Sequence, residues 1–254
     1  MIYTFGDGFA AGHIWPEWPQ MLELVTQQPV KNYGHIGAGN EFIFNCAAHA
    51  FNNACNEDIF VVQWAEPKRF DKLLQDQTWA TLNAEDVDYS GILANVGNHR
   101  WWSTSNSKLE AIRYYKEYYV QSVQSLNRTV LYMIALSKML ETKNINHCFF
   151  STYELDYAGH ELSSTVETLP WTAWPAMETY SYKFSFRGKE IQPHPMIHLH
   201  YVIDYILPSL NLKLYKDKTS AIIDIVSAKM FEPYYYDRIQ QLEDLKNEVS
   251  LLFK

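Results

Sequence analysis

Three stretches of this sequence hold side chains that could do chemistry, at spacings chemistry uses. Asp7 lies between Gly6 and Gly8, directly after the apolar run Ile2–Phe5. A carboxylate in such a turn can move protons, or it can bond the nearby backbone and fix the turn; the second use is the expected one. Far along the chain, Gln192-Pro193-His194-Pro195 leads into His198, His200 and Asp204. Imidazole is a base near neutral pH, and His194 ahead of a proline also reads as a plain helix-start residue. His194 and His198 share a helical face, while His200 falls on another. Without a His-Glu-x-x-His pattern, these histidines predict no metal centre, and nothing in the chain predicts a cofactor. Glu154, Asp156 and His160 form a third group that could gather acid–base side chains after a predicted strand.

The elements that must position these residues follow from the hydrophobic pattern. Ile2–Phe5 reads as a short buried strand that breaks at Gly6-Asp7-Gly8. Trp15-Pro16-Glu17-Trp18-Pro19 starts a helix through Gln20–Gln28, with Met21, Leu22, Leu24 and Val25 on its apolar face. Val30–Tyr33 is a second short strand, running into a glycine-rich loop, and Glu41–Asn56 is a second helix. Asp58–Trp64 is almost continuously apolar, as a parallel strand buried on both faces should be. This alternation predicts an α/β fold: a three-layer α/β/α sandwich around a mostly parallel sheet of about five strands.

Between about 66 and 107 the pattern lapses into polar sequence holding Trp79, Trp101 and Trp102, an excursion at the carboxyl edge of the sheet. Leu109–Thr142 is one long helical pattern, and Ile145–Ser151 supplies the next strand. A second excursion covers about 156–190, with Trp171 and Trp174 among prolines. A helix from about His194 to Leu207 closes the first unit, residues 1–215. Residues 216–254 form a C-terminal extension, in which Leu242, Leu245, Val249 and Leu252 make a short heptad-like seam. Such a seam packs back on its parent domain, or it carries self-association or docking on another protein.

Composition narrows the function classes. The chain has 254 residues, enough for a full core, and a net charge of −8. With no block of basic residues, a surface that tracks nucleic-acid phosphates is not expected. No apolar run approaches the ~20 residues that span a bilayer. The 15 % aromatic content, with eight Trp and eighteen Tyr, fills a core or meets a protein or glycan partner at the surface. Three cysteines without close pairing suit a reduced compartment. The first strand begins at Ile2, so no signal peptide is expected and synthesis is cytoplasmic.

Gly6-Asp7-Gly8-x-x-x-Gly12 resembles the first block of the SGNH (GDSL) hydrolases, Gly-Asp-Ser-x-x-x-Gly. The resemblance implies that Gly8 stands at the nucleophile position, vacant here because glycine replaces serine. Asn32-x-Gly34-x-x-Gly37 is similar to the second block and puts Gly37 at the oxyanion-hole glycine. Glu66 takes the position of the third-block asparagine, where a carboxylate would repel an oxyanion. Gln192-Pro193-His194-Pro195 resembles the last block, with His194 as the base and Gln192 in place of the orienting aspartate. In the serine-protease template, neutralising that aspartate costs about 10⁴ in turnover. The form Trp64-Ala65-Glu66-Pro67-Lys68-Arg69 looks like divergent members encoded by tailed bacteriophages. The resemblance covers roughly residues 1–210 and implies a pseudoenzyme reused for binding or assembly, such as a virion component. Its rivals are a serine-independent ester hydrolase, with water activated by His194 and assisted by Asp7 or Glu66, and a carbohydrate-binding module.

Overall fold

The computed structural model describes residues 1–12, 16–67, 69–73, 79–82, 122–151, 155, 161–172, 195–212, 216–228 and 238–253. The chain runs β1 (Ile2–Phe5), α1 (Trp18–Thr26), β2 (Val30–Asn32), α2 (Asn40–Asn53) and β3 (Ile59–Trp64). A hairpin, β4 (Phe70–Leu73) and β5 (Trp79–Leu82), follows, then α3 (Ser122–Thr142), β6 (Asn146–Ser151) and α4 (Ser163–Glu167). Helix α5 (Pro195–Tyr201) passes through a π turn, Val202–Ile206, into Leu207–Ser209. Helices α6 (Lys216–Ser227) and α7 (Arg238–Leu251) complete the described elements.

Four strands form one parallel sheet in the order β2-β1-β3-β6. The strand period of two sorts their side chains onto opposite faces. Ile2, Ile59, Val61, Cys148 and Phe150 join a core cluster with residues of α1, α5, α6 and α7. Phe5, Phe60, Val62, Trp64 and Phe149 join a second cluster with α2 and α3. Helices therefore cover both faces, the arrangement of a three-layer α/β sandwich. All six residues of β3 are buried, because it lies inside the sheet and under helices on both sides. Of the five strands expected, four lie among the described residues. Beyond β6, Trp171 makes a single parallel bridge to Phe149, flanked by bonds from Phe149 N to Pro170 O and from Thr172 N to Phe149 O. That short segment covers the edge that β6 would otherwise leave open.

The polar stretch after β3 holds regular structure that its composition conceals, the antiparallel β4–β5 pair. The hairpin is anchored by Asp71, whose carboxylate accepts from the backbone N–H groups of Gly39 (3.0 Å) and Phe42 (2.8 Å) at the start of α2. Those donors have no intrahelical acceptor, and a carboxylate suits the positive end of the helix dipole. Trp79 packs edge-on against Phe42, and Trp171 against Phe149. These two tryptophans of the expected excursions thus serve the core; Trp101, Trp102 and Trp174 lie outside the described residues.

Three of the four residues of the heptad-like seam face the core. Leu245 and Val249 are fully buried in the α1–α5–α6 cluster, with Leu252 packed against it. Lys246 pairs with Glu23 of α1 across the same contact. The burial of thiols gives a direct check on this packing. Cys148 is fully buried, and burial raises its thiol pKa; burial beside Asp71 pushes that of Cys46 up to about 12. Only thiolate reacts with aromatic disulfides. Ellman's reagent on the folded chain is expected to titrate exposed Cys55 quickly, and Cys148 only on unfolding.

Candidate functional site

The order of the connections locates the site. The chain leaves β1 over α1 to β2 on one side, then crosses back over α2 to β3 on the other. Open α/β sheets hold ligands outside the carboxyl ends of the strands where the winding reverses, here between β1 and β3. The segments that meet there are the turn after β1, with Asp7 and Gly8, and the segment after β3, with Glu66 and Arg69.

Asp7 is 1 % exposed, and both its oxygens are engaged. Oδ1 accepts from the backbone N–H of Phe9 at 3.0 Å and from Gln63 Nε2 at 2.6 Å. Oδ2 accepts from Arg69 at 2.8 Å. The bond to Phe9, two residues on, is the turn-fixing bond expected of an Asp in this place. Gln63 in turn accepts from the Trp18 indole N–H at 2.6 Å. The same Arg69 nitrogen donates to Ala38 O at 3.2 Å. A chain of buried groups thus runs from α1 through Gln63 and Asp7 to Arg69 and the loop before α2. Buried polar groups require such partners, since each lone one costs about 1–3 kcal/mol.

The loop after β2 is tied to the same turn. Asn32 accepts from Thr4 Oγ1 (3.0 Å) and Gly34 N (2.8 Å), and donates to Ala10 O at 2.6 Å. The backbone of Ala10 lies so close to Gly34 that a Cβ there would meet its carbonyl at 2.5 Å. Gly37 turns the loop toward α2 with φ 74°, a conformation in which glycine has no Cβ penalty. Asn40 then joins α2 to the segment after β3, accepting from Ala65 N (2.8 Å) and donating to Ala65 O (2.9 Å) and Thr129 Oγ1 (3.0 Å).

Among the described residues, the structure brings Asp7 and Gly8 to the reversal point and ties the Gly37 loop beside them. Gly8 is partly exposed and offers no functional group. Glu66 is half-buried in the turn that leads to Arg69, its carbonyl accepting from Arg69 N at 3.1 Å. Gln192, His194, Glu154, Asp156 and His160 lie outside the described residues. His198 is buried on α5, and among the described residues no three His, Cys, Asp or Glu gather as metal ligands would.

A polar cleft opens next to Arg69, lined also by Glu41, Asp71, Ser125, Arg128 and Tyr132. Its volume of about 10 Å³ is room for roughly one water. Burial, and then the Asp71 charge, raises the Glu41 pKa, against the pull of Arg128.

Sequence reasoning gave Arg69 and Gln63 no role. A glutamine inside an otherwise apolar central strand was the available signal, because a buried amide demands partners. Comparison of the chain with protein-family models, with curated proteins and with solved structures finds no match. Among the described residues, no helix is long and apolar enough to cross a membrane.

Proposed function

We propose that the chain is an SGNH-hydrolase-like pseudoenzyme, its carboxyl-edge crevice given over to structure and its surface to binding or assembly. The observation that carries this reading is the Asp7–Arg69 ion pair. With the bonds from Phe9 N and Gln63 to the other oxygen, it leaves the only carboxylate in the first turn fully engaged, at the place where the family would hold an acylated serine. Gly8 supplies no nucleophile, Glu66 stands where an oxyanion would need a donor, and Gln192 replaces the carboxylate behind His194. In this reading Pro170–Thr172 stands in the position of a fifth strand, and α7 is an addition to the family's plan.

The partner class is a protein, in an assembly such as the virion of a tailed bacteriophage, consistent with the Trp64-to-Arg69 form. The seam of α7 is spent on the chain's own core, so contact through this helix would use its outward face, where Leu251 is exposed. Restoring the nucleophile tests the reading. Gly8→Ser is expected to give no turnover of aryl acetates or acetylated sugars above the parent chain, because the carboxylate behind His194 and the third-block oxyanion donor are not restored with it. A gain of about 10²-fold or more, the contribution of a working acid–base group, would show that the crevice is intact and only the hydroxyl was missing.

A further inference from the structure

We propose that Ser137 and His147 form a nucleophile–base pair at the amino-terminal edge of the sheet, and that Ser137 accepts the acyl group of small activated esters. Ser137 Oγ lies 3.1 Å from His147 Nε2, and His147 Nδ1 lies 2.9 Å from the carbonyl oxygen of Ile145. A carbonyl only accepts, so in the neutral ring Nδ1 carries the proton and Nε2 turns its lone pair to the hydroxyl. Nucleophile, base and an acceptor that orients the base are the three parts of an activated serine.

Several features of the surroundings bear on the pair. Burial lowers the imidazole pKa from its ordinary 6.5, outweighing the opposite effects of the Ile145 carbonyl and Glu141. The ring is therefore a free base at pH 7. The charged groups on this side of it are Glu141 and, 2.7 Å from that carboxylate, Lys138, both on α3. From the strands it meets Phe60, its register partner on β3, and the ring of Phe149. Glu141 Oε1, 3.2 Å from Ser137 Oγ, competes for the single hydroxyl proton. Ser137 is 1 % exposed, whereas His147 is partly exposed and Glu141 exposed. Access to Ser137 requires local opening of the last turns of α3, which buried Leu140 and the bonds from Lys143 Nζ to Phe51 O and Ala54 O hold in place. That confines the reaction to small reagents.

With p-nitrophenyl acetate, Oγ bonds to the acetyl carbon and the bond from that carbon to p-nitrophenolate breaks. The serine proton passes to Nε2 and from there to water, leaving O-acetyl-Ser137. The test is peptide-mapping mass spectrometry of the whole chain after exposure to this ester, across pH 5 to 8. Acetylation is expected at Ser137, slowing toward the acid end of that range as the imidazole takes up a proton, and slowed about 10²-fold in His147→Gln. It is expected to be unchanged in His194→Ala, which separates it from any chemistry at the carboxyl edge. The wild-type pH profile carries the test should His147→Gln misfold. No acetyl group on Ser137, or a rate independent of pH, or a folded His147→Gln that reacts as fast, overturns the proposal.

Discussion

Arg69→Ala is expected to lower the unfolding free energy by about 3–5 kcal/mol, the cost of leaving one member of a buried ion pair alone. The side chains of Arg69 and Asp7 are 12 % and 2 % exposed, so water does little to screen the pair or to solvate a lone carboxylate. The substitution also removes the bond to Ala38 O, which holds the loop before α2. Urea unfolding followed by circular dichroism measures the loss. The same charges can be removed together: Asp7→Asn with Arg69→Met is expected to cost less than the sum of the single changes, since no charge is then left unpaired. A loss for Arg69→Ala below about 0.5 kcal/mol, typical of surface substitutions, would mean that the pair holds nothing in place.

The second large effect belongs to the last helix. Leu245→Ala is expected to cost about 2–5 kcal/mol, as for other leucines truncated in a packed core. Leu245 is fully buried and shares its cluster with Leu22 of α1 and Val226 of α6. Truncation before Arg238 would remove Val249 as well and uncover that face of the core, so the shortened chain is expected to melt earlier and to aggregate. The alternative use of the seam predicts the reverse. If Leu245 served a contact between copies, Leu245→Ala would leave a stable monomer and abolish a dimer in light scattering.

Much of this fold is legible in the sequence because the signals are local and repeated. The unbroken apolar run of β3 reports burial on both faces, and the alternation of strand and helix patterns reports a parallel sheet. The turn at Asp7 was legible for a similar reason, since an aspartate between glycines bonds its own backbone. The β4–β5 hairpin was not. Its stability comes in part from one long-range bond set, Asp71 on the start of α2, and no short window of sequence records that a carboxylate will meet a helix 30 residues earlier. The role of Arg69 was hidden on the same ground: its partner lies 62 residues away. Gln63 carried a readable warning, a polar side chain in the most buried strand, without naming its partners. Ser137 and His147 sit in a helix and a strand that were both expected, but only the register of β6 against α3 sets them within bonding distance.

Ester turnover is the measurement that decides most directly whether the carboxyl-edge crevice does chemistry. Purified chain is assayed with short-chain aryl esters and acetylated sugars beside His194→Ala, with Ser137→Ala included so that acylation at the other edge is not mistaken for it. The account predicts that wild type and His194→Ala turn over no faster than each other, and that neither hydrolyses the acetylated sugars above the buffer blank. Sustained turnover by the wild type that survives Ser137→Ala and is lost in His194→Ala would contradict it, and would establish a serine-independent hydrolase.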